Sequence, residues 1–301
     1  MVLQSLFEPG LWSSQPVHVA MLLGGGAAIV SAVVGIFTII RGNTFAGHAL
    51  SDISGVGGSA SFLLGINPLA GFAIMGILGA MGIELASSRK STDRSMATGI
   101  ALGAGLSLSA LFLYLNSELH STTGVTFTVM FGSMWSVNPS MIPWICATGL
   151  IALCLTLLLY RPLMLSCVDA NLARIRGVNV PVINLVYLVI LALSTALSAL
   201  TIGAILSTAL LIGPASAALH LCKRPGWAIV IACLIGTFCT FAGVILAYDS
   251  FYWTPGHGWP VSFFVVVLIL LCYLAAAFLP MLNRALRTRC TRRFTPNRYE
   301  S

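Results

Sequence analysis

Long apolar runs dominate the chain, and each is long enough to cross the roughly 30 Å hydrocarbon core of a bilayer as a helix. These runs are Val19–Ile40, Leu69–Leu85, Met96–Leu115, Ile142–Leu159, Val180–Leu200, Ile202–Leu221, Trp227–Ala247 and Val261–Leu282. Most are apolar around their full circumference, which is typical of helices buried among other helices and lipid. The pattern predicts an all-α, polytopic transmembrane helical bundle of about eight to nine spans. We expect a single domain over residues 1–301, with an N-terminal segment at 1–17 and a basic tail at 284–301.

Two segments do not fit a simple span. Gly47–Gly65 is short and rich in Gly and Ser, and Val125–Trp135 is too brief to cross a bilayer. Interrupted helices at membrane depth are tolerated where they are buried in protein or line a watery cavity. We therefore predict that the first segment is a short span lining a pathway. The second is predicted to be re-entrant or interfacial, and an amphipathic surface helix fits it equally well.

Composition supports a membrane protein, and charge gives its orientation. Hydrophobic residues make up 58% of the chain and charged residues only 8%, with a mean hydropathy of +0.97. The basic residues cluster at Arg41, Arg89-Lys90-Arg94, Arg161, Arg174-Arg176, Lys223-Arg224 and along the tail. By the positive-inside rule these positions are cytoplasmic, and loops without Lys or Arg, such as Asn116–Gly124 and Asp249–Pro260, face outside. The net charge of +7 then reflects topology and anionic lipid, and we expect no nucleic-acid partner.

Several function classes are disfavoured because their motifs are missing from the sequence. There is no Gly-Lys dipeptide, hence no phosphate-binding loop for ATP, and none of the five histidines begins a His-Glu-x-x-His motif. The sequence contains no Cys-x-x-Cys pair, so a zinc cage is not indicated. We expect neither an enzyme nor a permanently bound cofactor. Energy for transport would have to come from a partner subunit or from an ion gradient.

His48 and Asp52 are the most informative polar residues of the chain. Their spacing of four places an imidazole and a carboxylate on one face of a helix, within the otherwise apolar or small-residue segment Gly47–Gly65. Ionisable groups at membrane depth are costly, so a pair kept there marks a transport path or a structural ion pair. Imidazole and carboxylate suit Zn²⁺, Mn²⁺ or Fe²⁺, and soft sulfur suited to Cu⁺ is missing. We predict a metal site at these two residues. A buried ion pair that fixes helix packing is the alternative.

The stretch Asp169–Pro225 is predicted to carry a docking surface for a soluble partner. It begins with a short basic helix, Asp169–Val178, and ends after Gly213-Pro214 in a small-residue segment followed by Lys223-Arg224. A Gly-Pro pair breaks one helix and suits the first turn of the next. This predicts a separate short helix over Pro214–Pro225. An ordinary kink with a basic cap is the alternative.

Two of these regions resemble one known family. The phrase Arg41–Gly65 looks like the second-helix motif of the ABC permeases that import zinc, manganese or iron, and Asp169–Leu221 is similar to that family's second signature. The loop Trp253-Thr-Pro-Gly256 also fits. One departure concerns the order of the ligands, because the family usually places the aspartate first and this chain has His48 first. The exchange alters the height of each donor by about one turn, roughly 6 Å, which leaves the choice of metal open.

The resemblance implies a homodimeric permease with a fold like that of the vitamin B12 importer permease. It implies cytoplasmic ATPase subunits inside, an extracytoplasmic metal-binding protein outside, and a bacterial inner-membrane location. Metal would pass along the dimer interface and be held by His48 and Asp52. The residues that it assigns to ATPase docking are Pro214, Ala218, His220, Lys223, Arg224, Asp169 and Arg174. Two other functions stay open, an ion-gradient-driven metal transporter and a membrane-embedded metalloenzyme.

Three further acidic residues, Glu84, Glu118 and Asp249, are predicted to lie in an ion pair or in solvated loops. Glu84 ends an apolar run close to Arg89 and Lys90, which predicts a cytoplasmic ion pair. Asp249 and His257 are placed in one outer loop, and Glu118 and His120 in another. Solvated side chains are expected there, and receipt of metal from a binding protein is the alternative.

Overall fold

The computed structural model of the protein describes residues 14–292 except for 87–90, 121–123, 133, 136, 138, 223 and 254–257. Over these residues the chain forms helices and no strand. The helices are α1 (Gln15–Ile40), α2 (Thr44–Leu64), α3 (Pro68–Ala86), α4 (Ser91–His120), α5 (Gly124–Phe131), α6 (Ile142–Leu158), α7 (Tyr160–Val168), α8 (Ala170–Ile175), α9 (Val180–Ile202), α10 (Ser207–Leu221), α11 (Pro225–Trp253) and α12 (Val261–Arg292). A single 3₁₀ turn, Pro139–Met141, precedes α6.

Six of the described helices, α1, α3, α4, α9, α11 and α12, are long and apolar enough to span a membrane. The pair α6 and α7 adds a seventh span when it is counted as one, although it is bent by 58° at Leu159. Pro162 in the first turn of α7 contributes to this bend, because proline cannot donate a hydrogen bond to the preceding turn. The predicted all-α, polytopic transmembrane bundle is thus confirmed, with six or seven candidate spans among the described residues. The predicted number of eight to nine is reached only if α2 and the short apolar α10 are counted as well.

The centre of the bundle is formed by α1 and α9, whose apolar stretches are 72% and 78% buried. Hydroxyl groups join the two helices, since the oxygens of Ser31 and Ser198 lie 2.6 Å apart. Such interhelical hydrogen bonds in membrane proteins stabilise by about 0.6 kcal/mol on average. The small residues of α1 and α9 therefore hold the two helices close together.

The Gly-rich character of α2 follows from its contact with α3. A Cβ atom on Gly57 would overlap the carbonyl group of Gly71, and one on Gly58 would overlap the ring of Phe72. Only glycine lets the two backbones approach this closely, as in other small-residue helix pairs at membrane depth. As a result, most of α2 is buried although it contains few large apolar side chains.

The predicted helix break at Gly213-Pro214 is wrong. The helix α10 runs continuously through Pro214, whose ring is buried, and the chain breaks earlier, between α9 and α10. There Gly203 adopts φ +101°, a left-handed value that side-chain-bearing residues rarely adopt. The two predicted apolar runs, Val180–Leu200 and Ile202–Leu221, divide within three residues of this break, but no turn signal other than Gly203 marks its position.

The short helix α5 packs into the bundle at that break. The Ala204 amide donates a hydrogen bond of 3.0 Å to the carbonyl oxygen of Val129, and Val129 itself is buried. A Cβ atom on Gly203 would overlap the carbonyl of Met130. These contacts agree with the re-entrant interpretation of Val125–Trp135 rather than with a helix lying on the surface.

Two of the predicted outer loops begin later than expected. The helix α4 continues to His120, so Asn116 is helical and buried, and its amide donates to the Ser59 carbonyl at 2.9 Å. Glu118 is exposed but lies on this helix. Asp249 lies in α11 and is fully buried, so its assignment to a solvated loop is wrong. His257 falls outside the described residues.

Candidate metal site on α2

The structure brings His48 and Asp52 together on one turn of α2. The Nε2 atom of His48 lies 3.8 Å from Oδ2 of Asp52. The two side chains differ in exposure, since 46% of the His48 side chain is accessible but only 4% of that of Asp52. The carboxylate therefore lies within the protomer, and the imidazole stands at its surface. This is the helix-face arrangement that the spacing of four predicts.

The buried carboxylate is incompletely satisfied. Among the described residues no group donates a hydrogen bond to Oδ2 of Asp52, and no lysine or arginine forms an ion pair with the carboxylate. A buried charge without hydrogen-bonded partners is costly. In the alternative of a structural ion pair, the Asp52 carboxylate would have one ion-pair partner among the described residues, His48, and that partner is too far away for a hydrogen bond. A cation held by both groups would remove that cost.

The distance between the two donors suits a shared metal ion. With metal–ligand bonds of about 2.1 Å, two ligands of a tetrahedral site are about 3.4 Å apart, so the observed 3.8 Å needs only a small side-chain rotation. No cluster of three or more His, Cys, Asp or Glu side chains occurs within the part of the chain that the structure describes. Within the described residues, His48 and Asp52 thus offer two potential ligands, fewer than the four or more that a bound metal ion usually has.

The residue next to Asp52 fixes α2 to the break between α9 and α10. The Ser51 hydroxyl donates to the carbonyl of Ala204 at 2.7 Å and forms a short hydrogen bond with the hydroxyl of Ser207. The Ala204 amide in turn bonds to Val129 of α5. Three elements thus meet beside the carboxylate. The sequence analysis did not identify Ser51, Ala204 or Ser207.

The predicted docking residues of the α7–α8 region lie on the surface. Asp169 is exposed and caps α8, since its Oδ1 accepts hydrogen bonds from the backbone amides of Asn171 and Leu172 at 2.7 and 3.2 Å. Arg174 is exposed in the last turn of the same helix. The predicted short basic helix therefore exists, and aspartate is a favourable residue at its N-cap.

The docking residues predicted around α10 separate into two groups. Pro214 and Ala218 are buried in the bundle, so they cannot contact a soluble partner directly, whereas His220 and Arg224 are exposed. The His220 ring donates from Nδ1 to the carbonyl of Ser216 at 2.8 Å and packs edge-on against Tyr273. Lys223 lies outside the described residues. The exposed docking residues therefore lie at the C-terminal end of α10 and in the turn that leads into α11.

A polar network that the sequence analysis missed joins four helices at the same end of the bundle. Arg41 donates to the side chains of Ser166 and Asn184, and the Asn184 amide donates to the Glu84 carboxylate in a short hydrogen bond. The expected partners of Glu84, Arg89 and Lys90, lie outside the described residues. Asn184 was the available signal, because it is a single buried amide within the apolar run Val180–Leu200.

Comparison with known proteins assigns the family. The model of the ABC 3 transport family matches residues 14–279. The chain belongs to the ABC 3 transport family. This family member is 29% identical to the manganese transport system membrane protein MntC of Listeria monocytogenes over 275 residues, which cover 91% of this chain and 95% of the relative. It is 26% identical to the high-affinity zinc uptake system membrane protein ZnuB of Haemophilus influenzae over 237 residues, 77% of this chain and 88% of the relative.

A solved structure supports the same fold for this ABC 3 family member. PsaBC from Streptococcus pneumoniae, solved in complex with a Fab, superimposes with a TM-score of 0.78 at 23% identity, covering 93% of this chain and 96% of that chain. At this identity the likeness concerns the fold. The protein is therefore a multi-pass bacterial membrane protein and the permease component of an ABC transport system, as the sequence resemblance implied.

Proposed function

We propose that this permease imports a divalent metal ion, manganese, zinc or iron, using ATP that separate cytoplasmic subunits hydrolyse. The observation that carries the proposal is the His48–Asp52 pair, with a buried carboxylate oxygen that accepts no hydrogen bond from the described residues and an imidazole 3.8 Å away. The metals named for MntC and ZnuB are compatible with this donor set, since imidazole and carboxylate both bind Mn²⁺ and Zn²⁺.

A second copy of the permease completes the site in this proposal. Each protomer offers two ligands, and the half-exposed imidazole of His48 is available at the protomer surface. Two such pairs related by a two-fold axis would supply four ligands, enough to replace most of the hydration shell of a divalent ion. Dimers with two-fold symmetry are the commonest oligomers. Because the site lies between copies, the metal can be released when the two halves separate.

The ATPase subunits would dock on the exposed surface formed by α8 and the end of α10. That surface includes Asp169, Arg174, His220 and Arg224. Its basic residues support a cytoplasmic location by the positive-inside rule. A metal-carrying protein would deliver cargo at the opposite end. The chain itself contains no nucleotide-binding motif, so its role in the cycle is to hold and release the ion.

Metal uptake by the complete complex tests the proposal. The variants His48→Ala and Asp52→Ala should each abolish ATP-dependent uptake of Mn²⁺ and Zn²⁺ into proteoliposomes, while the permease still copurifies with its ATPase. Ser107→Ala is a matched control, because this exposed hydroxyl donates within its own helix, to the Gly103 carbonyl at 2.8 Å. Full uptake by the double variant would exclude metal coordination at these residues. Uptake that persists without ATP would favour an ion-gradient transporter.

A further inference from the structure

Arg41, at the end of α1, forms hydrogen bonds to two other helices through the two arms of its guanidinium group. Nη1 donates to the Ser166 hydroxyl of α7 at 2.9 Å, and Nη2 donates to Oδ1 of Asn184 in α9 at 3.1 Å. The guanidinium also lies 5.0 Å from the centre of the Tyr187 ring. Lysine could not reproduce this arrangement, since an ammonium group lacks the planar fork that reaches two acceptors at once.

The network extends beyond Arg41 and is compensated in charge. The Asn184 side chain accepts from Arg41 and donates to Glu84 near the end of α3, so one buried amide lies between a cation and an anion. The Tyr187 hydroxyl shares a 2.7 Å hydrogen bond with Thr38, one turn before Arg41 on α1. Four helices, α1, α3, α7 and α9, are thereby joined at one end of the bundle. Fully satisfied polar networks of this kind are rigid.

The position of this network links two functional regions. Ser166 lies three residues before Asp169, which caps the exposed helix α8 of the docking surface. On the other side, Arg41 is followed directly by Gly42, which adopts φ +67° in the turn that leads into α2. The amide of Asn43 in this turn bonds back to the Thr38 carbonyl at 2.9 Å. The metal ligand His48 follows one turn into α2.

We propose that Arg41 is the positioning residue through which movement of the ATPase-docking segment reaches the metal site on α2. The proposal rests on the proposed function and adds the path by which movement of the docking surface reaches the metal site. A displacement of α7 and α8 pulls on Ser166, and the rigid guanidinium transmits it to the end of α1 and to the α1–α2 turn. Without the fork, α7 would move past α1 and the ATPase cycle would run without opening or closing the ligand pair.

The ratio of metal transported to ATP hydrolysed tests this coupling. In the complete permease–ATPase complex in proteoliposomes, Arg41→Lys should lower the number of Mn²⁺ ions transported per ATP by at least about 5-fold, the lower end of typical coupling strengths. Hydrolysis should continue, and Mn²⁺ binding to the detergent-solubilised complex should be unchanged. A merely structural clamp would instead reduce assembly, hydrolysis and transport in parallel, and that result would overturn the proposal.

Two further variants keep the test decisive if Arg41→Lys assembles poorly. Ser166→Ala removes one hydrogen bond of the fork and leaves the charge in place, so the ratio should fall by a smaller factor. Arg161→Lys, an exposed cation on the same helix α7, is the matched control and should leave the ratio unchanged. An unchanged ratio in both Arg41→Lys and Ser166→Ala would overturn the coupling role. If the unmodified complex shows no ATP-dependent uptake, the proposed function itself fails instead.

Discussion

The His48–Asp52 pair and the Arg41–Asn184–Glu84 network are both polar groups within the same apolar bundle, but they differ in how completely they are satisfied. In the network, the guanidinium, the amide and the carboxylate all have hydrogen-bond partners. In the pair, a buried carboxylate oxygen has an imidazole 3.8 Å away and no hydrogen bond from the described residues. A satisfied network stabilises one arrangement of helices, whereas an unsatisfied pair retains free lone pairs for a ligand.

This contrast predicts opposite consequences for two conservative changes. Asp52→Asn keeps the size of the side chain but removes the charge that binds a cation, so uptake of Mn²⁺ should fall by at least about 100-fold, the upper range for weakened metal sites. The thermal unfolding temperature of the metal-free complex should stay the same or rise, because an unsatisfied buried charge has been removed. Scintillation counting of transported metal and a fluorescence melting curve measure the two effects. A lowered unfolding temperature with normal uptake would reverse our assignment of the pair.

The complementary change in the network should affect stability and leave metal binding intact. Glu84→Gln keeps the size and an amide oxygen that can still accept from Asn184, but the hydrogen bond is no longer charge-assisted. Replacing a charged acceptor by a neutral one should reduce the free energy of unfolding by about 1–1.5 kcal/mol. Chemical denaturation in detergent measures this change, and Mn²⁺ titration serves as the control. A change in metal affinity with unchanged stability would show that Glu84 belongs to the metal site.

The tight contact between α2 and α3 tests whether the position of the pair depends on packing. In Gly57→Ala the new methyl group would overlap the Gly71 carbonyl, so the two helices must separate slightly. Overpacking of this kind typically costs about 1–3 kcal/mol. Uptake should fall together with stability because His48 and Asp52 move with α2. Gly26→Ala is the matched control, since no atom lies within 4 Å of the added methyl on this α1 glycine.

Sequence patterns predicted the spans and the α2 pair because both depend on local spacing. Apolar runs give the helices, and the spacing of four places His48 beside Asp52 whatever the surrounding fold. The same reasoning found the short helix after Asp169, whose N-cap is a local signal. These features depend on the properties of neighbouring residues along one helix.

Features that depend on distant residues could not be predicted in this way. Apolar runs indicated a division close to Gly203, but not the contact that stabilises the break there, because α5 is more than 70 residues earlier in the chain. Asn184, the hydrogen-bond partner of Glu84, is 100 residues away in the chain. Local spacing could suggest only a pairing of Glu84 with the neighbouring basic residues. Asp249 lies in α11, which continues beyond the apolar run Trp227–Ala247. Hydropathy indicates neither this extension of the helix nor the burial of Asp249.

The smallest predicted effect concerns the link between the pair and the α9–α10 break. Ser51→Ala removes the hydrogen bonds to Ala204 and Ser207 but keeps Asp52 and the small size needed at this position. Each interhelical hydrogen bond in a membrane contributes about 0.6 kcal/mol, so loss of the two should lower the free energy of unfolding by about 1 kcal/mol. Because Ser51 fixes the helix face next to Asp52, the Km for Mn²⁺ should rise modestly while assembly with the ATPase is unchanged. Ser59→Ala, whose hydroxyl bonds within α2 to the Val56 carbonyl, is the matched control. Equal effects of the two substitutions would mean that loss of a hydroxyl on α2, and not the connection to the break, determines the result.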